Sequence, residues 1–205
     1  MFAYCGNNPV CYTDTSGHSF IGALLFLTVA VATTISLTAC SAKNSVGAAL
    51  EYQSVAGGTP DSTANCYSYA IGIYDKSYNP GDFSRPMQGY SVEDVAVAVM
   101  QDLTALGRSC RFIDGANAEI SDDEYRIALR VKQQPMALQT PSGVIIDWDY
   151  HFMVQTSSGA WAEKHGPGGD SILHAVGETP DTISWDCGTQ IGYYDSKIIY
   201  FAISP

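Results

Sequence analysis

Hydrophobic and polar positions divide the chain into stretches of different period. Residues 20–40 (FIGALLFLTVAVATTISLTAC) form an apolar run with no charged side chain. At about 1.5 Å rise per residue, roughly 20 helical residues cross the ~30 Å hydrocarbon core of a bilayer, so the run is long enough to span one. Thr28, Thr33, Thr34, Ser36 and Thr38 dilute it, although such hydroxyls can bond back to helix carbonyls. From Ser91 to Leu106 the period is helical, with Val95, Val99, Leu103 and Leu106 on one face. Ser91-Val92-Glu93-Asp94 opens that helix with a capping box in which Asp stands for the usual Glu, and Gly107 closes it. Cys66 to Tyr74 (CYSYAIGIY) fits a shorter, mostly buried helix, with Asn65 as N-cap and Cys66 as its first residue. Residues 144–155 (VIIDWDYHFMVQ) read as a strand and residues 160–164 (AWAEK) as its partner, with Thr156-Ser157-Ser158-Gly159 as the hairpin turn. Ser109 to Asp114 reads as a further strand before the Gly115-Ala116-Asn117 turn, while Asp122 to Lys132 fits helix and strand equally and is left open by its pattern. The closing IGYYDSKIIYFAIS predicts two short strands around Asp195-Ser196-Lys197.

Turn chemistry marks the boundaries. Residues 1–17 (MFAYCGNNPVCYTDTSG) place Asn7-Asn8-Pro9 and Asp14-Thr15-Ser16-Gly17 around a short strand, Val10 to Thr13. Residues 18–42 carry the hydrophobic segment, expected to be a helix. Residues 43–64 are small and polar, include Gly57-Gly58-Thr59-Pro60, and read as a linker. Residues 65–205 then form an α+β domain: a helix bearing Cys66, followed by an antiparallel sheet bearing His151. Within it, residues 75–90 make an irregular loop long enough for a binding rim, and 166–170 (GPGGD) a flexible one.

Composition narrows the partners. The 205 residues are 46% hydrophobic, enough for a sizeable core, and the net charge of −11 with only ten basic residues argues against nucleic acid and against anionic membrane surfaces. The six cysteines (Cys5, Cys11, Cys40, Cys66, Cys110, Cys187) contain no CxxC pair, so no zinc site is expected, no cofactor is implied, and a chain of this size folds without disulfide staples. The charge pattern also bears on residues 20–40. Leu37-Thr38-Ala39-Cys40 has the form of a lipoprotein cleavage box, but no Lys or Arg precedes Lys43, so the positive start of a signal peptide is missing. A spanning helix, a membrane-inserting segment, a buried helix and, least favoured, a signal or lipoprotein box remain open readings.

The chemistry lies in the order of three residues. A thiol nucleophile needs a base within hydrogen-bond reach and a third group that orients the base. Cys66 at a helix start would feel the helix dipole and free amides, which favour thiolate. On the strand that follows, His151, Met153 and Gln155 share a face, and on its partner Trp161, Glu163 and His165 share one, so a tight hairpin can set Glu163 beside His151. His165 and His174 compete with His151 as base. Taken singly, Cys66 reads as a small buried hydrophobe and His151 as a buried histidine satisfying a backbone group; only the ordered set points to catalysis. Cys110 and Cys187 lack such a setting and read as structural. Asp147 and Asp149 flank Trp148, but a paired-carboxylate glycosidase is the weaker reading; Asp149 is better suited to binding substrate.

Two resemblances extend this reading. The stretch FAYCGNNPVCYTDTSG resembles the closing motif of the Rhs/YD-repeat core, approximately Y-x-Y-x-x-N-N-P-V-x-x-x-D-P-x-G, with Thr15 where proline is usual. That resemblance covers residues 1–17 and implies that the rest is a variable C-terminal tip of a larger secreted or cell-surface protein, often a toxin. NCYSYAIG with DYHFMVQTSSGAWAEKHG resembles a bacterial family of papain-like toxin or secreted domains carrying N-C-Y-x-Y-A, D-x-H-F/W-x-x-Q and G-x-W-x-x-K-x-G motifs. It covers roughly residues 60–175 and implies a papain-like fold with Cys66 as nucleophile, His151 as base and Glu163 as the orienting residue, where the family often has histidine. Asn65 and Gln155 are the candidate side-chain donors to the oxyanion. The implied partners are a protein or peptide substrate, a cognate immunity protein, and a membrane touched through residues 20–40.

Overall fold

The computed structural model describes residues 51–54, 63–140 and 143–205. The repeat-core stretch 1–17 and the hydrophobic segment 18–42 lie outside the described residues. Among the described residues, no helix is long and apolar enough to cross a membrane.

The described residues form an α+β domain. Two helices come first, α1 (Cys66–Ala70) and α2 (Val92–Ala105). Strands β1 (Cys110–Ile113), β2 (Tyr125–Val131), β3 (Met136–Thr140), β4 (Gly143–Asp147), β5 (Tyr150–Gln155), β6 (Trp161–Lys164), β7 (Ser171–Leu173) and β8 (Ile199–Ile203) follow. Six strands make one sheet in the order β1-β8-β2-β5-β6-β7, antiparallel throughout; β3 and β4 pair separately as a two-stranded hairpin.

The sheet is covered on both faces, and side-chain alternation sorts the core into two layers. Ile127, Leu129, Phe152, Val154, Phe201 and Ile203 pack with Tyr67, Tyr69, Val95, Val99 and Leu103 of the helices. Ala128, Met153, Trp161 and Tyr200 pack on the other face against Ile183, Trp185 and Tyr194 from the C-terminal loops. Burying each large apolar side chain contributes about 1.5–3 kcal/mol. Double coverage also explains why Asp122 to Lys132 has no readable period: in the strand it becomes, β2, both faces are buried.

The capping box of α2 is present as read: Ser91 Oγ accepts from the Asp94 amide, and the Ser91 amide donates to Asp94. Val95, Val99 and Leu103 form its buried stripe, whereas Leu106 is the C-cap and is exposed. Asp102, on the same helix, is buried and accepts from Tyr67 Oη at 3.0 Å, the Gly81 amide at 2.7 Å, the Phe83 amide at 3.2 Å and Ser84 Oγ at 2.6 Å. One carboxylate thus ties α1 and the irregular loop 75–90 to α2.

Three expectations change. Residues 144–155 are two strands, because the chain breaks at Trp148-Asp149: the Trp148 indole N–H donates to the Tyr90 carbonyl, and the Asp149 side chain turns back to the Tyr150 amide. Tyr193 and Tyr194 form no strand; their hydroxyls donate to Asp147 and Asp149, holding this segment against the sheet as a loop. Parts of the predicted linker 43–64 pack on the domain. Tyr52 hydrogen-bonds Ser171 Oγ at 3.1 Å, Tyr69 Oη donates to the Gln53 carbonyl at 2.9 Å, and Ala64 is fully buried.

Candidate active site

Asn65 opens α1. Its Oδ1 accepts from the Ser68 amide at 2.9 Å, and its Nδ2 donates to the Tyr78 carbonyl at 2.7 Å. The second bond joins the helix start to the loop 75–90. Cys66 is the first helical residue, buried, with its thiol donating to the Tyr150 carbonyl at 3.6 Å. The helix therefore delivers sulfur to the start of β5, one residue before His151.

His151 and Glu163 meet through the sheet. In the β5–β6 register Met153 faces Glu163, so His151 is its diagonal neighbour rather than its direct one. The diagonal suffices: His151 Nε2 lies 2.6 Å from Glu163 Oε2. Continuing the same register beyond β6 sets His165 across from His151, and their rings stack with centroids 4.8 Å apart. Tyr194 stacks near the same imidazole at 5.1 Å, and Trp185 meets it edge-on at 6.1 Å. Aromatic packing thus fixes the ring plane while Glu163 fixes its rotation.

Glu163 also serves two other imidazoles. Its Oε1 lies 2.9 Å from His174 Nε2 and 3.5 Å from His165 Nε2. Burial by itself would raise the pKa of this carboxyl, but the hydrogen bonds from His151, His165 and His174 outweigh it and hold the group well below the usual carboxylate range. Glu163 is therefore ionised and can only accept. The proton in the His151–Glu163 bond belongs to Nε2, which leaves Nδ1 as the basic nitrogen of the neutral ring. Among the described residues Nδ1 has no hydrogen-bond partner, and His151 lines the adjoining cavity.

That cavity, of about 430 Å³, is lined by Cys66, His151 and His165 together with Asn65, Asn79, Asp149, Tyr194, Pro167 and Cys187. Cys66 and His151 face the same space, with no hydrogen bond between them. Burial pushes the Cys66 thiol up, and the Asp149 carboxylate adds to the rise; the amides of Phe152, Tyr67 and Cys66 itself act the other way but do not prevail. The expected helix-start stabilisation of thiolate is thus outweighed, because a five-residue helix has little dipole and the sulfur is dry. Among the described residues the Cys66 and Tyr67 amides donate to no other group, and both act on the sulfur.

The remaining sequence candidates divide. Asp149 lines the cavity, where its Oδ2 accepts from Tyr194 Oη at 2.9 Å. Asn65 lines it too, but its amide is spent on the cap and on Tyr78. Gln155 does not reach the cavity: its Oε1 accepts from Arg126 at 2.7 Å and its Nε2 donates to the Gly159 carbonyl at 3.2 Å, at the far end of β5. Cys187, read as structural, lines the same cavity as Cys66. Asp147 pairs with Lys132 and accepts from Tyr193. Sequence reasoning missed Tyr194 and Trp185, which flank the imidazole; the only signal was their aromatic character in a loop-rich stretch. Set against known protein families, curated proteins and solved structures, the chain matches none.

Proposed function

We propose that residues 65–205 are a papain-like cysteine hydrolase that cleaves or transfers acyl groups at an amide or ester of a protein or peptide. The observation that carries this reading is one cavity shared by a helix-start thiol and an imidazole that a buried, ionised carboxylate orients from the next strand. Substrate binding brings its carbonyl carbon to Cys66 Sγ. His151 Nδ1 takes the thiol proton as sulfur attacks, so ionisation happens with bond formation rather than in the resting site. The amides of Cys66 and Tyr67 receive the oxyanion. His151 then returns the proton to the leaving amine or alkoxide, and water repeats the sequence on the thioester.

The repeat-core likeness of residues 1–17 supports delivery of this domain as the effector tip of an Rhs-type protein, secreted or at the cell surface, with a cognate immunity protein as its natural binder. Expression of the chain in the cytoplasm of a bacterium tests both parts. Growth arrest that disappears with Cys66→Ala and with His151→Gln is the expected result; arrest that survives both substitutions sinks the hydrolase.

One observation favours a second reading, a non-catalytic interaction module. The β3–β4 hairpin exposes Met136, Leu138, Val144, Ile145 and Ile146 to solvent. An apolar ribbon of this kind marks a surface that meets another molecule. The same growth experiment separates the readings, since Leu138→Lys with Ile145→Lys would relieve arrest only if the ribbon acts.

A further inference from the structure

The carboxylate of Glu163 gathers more imidazoles than a base–orienter pair requires. His151 needs one carboxylate oxygen, and it has Oε2 at 2.6 Å. Oε1 faces His165 and His174 instead. One ligand atom from each of His151, Glu163 and His165 lies within 4.8 Å of the others, which is the spacing from which three ligands can close on one ion. Around a tetrahedral ion with metal–ligand bonds of about 2.0–2.1 Å, neighbouring ligand atoms are about 3.3 Å apart. The separation of 3.5 Å between His165 Nε2 and Glu163 Oε1 already matches that edge, while His151 Nε2 contacts the other oxygen, Oε2, so the carboxylate has to turn to offer both imidazoles one oxygen.

We propose that His151, Glu163 and His165 bind a late first-row divalent cation, Zn²⁺ foremost, with the fourth position left to water. Two imidazoles and one carboxylate suit Zn²⁺ and reject Mg²⁺ and Ca²⁺, which demand oxygen ligands in larger number. Entry is provided by a second cavity, of about 370 Å³, that Glu163, His165 and His174 line. His174 supplies the supporting contact, a hydrogen bond to Oε1 that holds the carboxylate in place from outside the ligand set. The ion takes the Nε2 position of the proton that His151 shares with Glu163, and the ring's single proton moves to Nδ1. Under the hydrolase reading, on which this consequence alone rests, a His151 metallated at Nε2 carries its proton on Nδ1 and cannot take the Cys66 proton, so Zn²⁺ is a reversible inhibitor.

Calorimetric titration of Zn²⁺ into the full chain tests the site, with Cys66→Ala, His165→Gln and His174→Gln as variants and circular dichroism as the check on folding. His165 and His174 are partly exposed, so their replacement spares the core. Expected are one ion per chain, unchanged in Cys66→Ala, bound at least tenfold more weakly in His165→Gln and about tenfold more weakly in His174→Gln, with no heat from Mg²⁺. Absence of binding in the folded wild-type chain overturns the proposal. So does binding that persists in His165→Gln, or that vanishes in Cys66→Ala, since the thiol would then be the ligand. If Zn²⁺ fails to bind while His151-dependent alkylation of Cys66 remains, the metal site falls and the hydrolase stands.

Discussion

A carboxylate that accepts from three imidazoles cannot be protonated without losing all of them. Glu163, held below its ordinary value of 4.5, contributes stability that is present above that pH and lost as pH falls toward the folded value. His165 works in the opposite sense. Its hydrogen bond to Glu163 raises it above 6.5, so its contribution is full below that pH and fades as pH rises through the folded value. Together they favour a window of about pH 5 to 6.5. Urea midpoints should show the gap between wild type and Glu163→Gln widest in that window and narrowing toward pH 3; a gap independent of pH would contradict the network. In catalysis the same substitution should cut turnover by about 10²–10⁴, the scale for losing the orienter of a catalytic imidazole. At Cys66 the forces reverse. Burial and Asp149 oppose thiolate, so Asp149→Asn should speed iodoacetamide alkylation of Cys66 several-fold at pH 8, and no change would remove Asp149 from the account. The placing of Cys66 at a helix start and of His151 and Glu163 on neighbouring strands was legible from their order, strand alternation and the motif likeness, because each sits on a short element whose pattern the sequence states. The ionisation of Cys66 was not, since it depends on burial by distant segments.

At the level of elements, the two helices were legible, although α1 ends at Ala70 rather than Tyr74, and the strands only in part. Caps are local: Asn65 and Ser91 make their bonds within three residues, so the sequence reports them directly. Ser91→Ala should lower stability by about 1 kcal/mol, read from chemical denaturation. The break at Trp148-Asp149 was hidden because its causes, Tyr90 and Tyr194, lie some 50 residues away on either side. The Asp102 hub was hidden for the same reason. Asp102→Ala strands four buried or half-buried donors and should cost about 3 kcal/mol or more, with loss of the ordered 75–90 loop visible as faster proteolysis there. A loss below about 1 kcal/mol would show that water replaces those bonds. Gly169 is a further constraint, since a Cβ there would run into the His165 carbonyl. Gly169→Ala should therefore disturb the loop that carries His165 and weaken the Glu163 cluster.

Across the molecule, an acidic chain, a dry thiol, an oriented imidazole and an apolar ribbon support the proposal that the domain acts on protein rather than on nucleic acid. The α+β class was legible from one helical stretch and several alternating ones. The partition of β3–β4 from the main sheet was not, because exposed Val144 to Ile146 look like core in sequence. The central claim is that Cys66 is a nucleophile served by His151. It is met most directly by intact-mass measurement of the full chain after exposure to a trans-epoxysuccinyl thiol probe at pH 7. The account predicts a single adduct on Cys66, none in Cys66→Ala, and labelling slowed about 10²-fold or more in His151→Gln, the scale of general-base assistance. Labelling of Cys110 or Cys187 in place of Cys66, or an unchanged rate without His151, would contradict it.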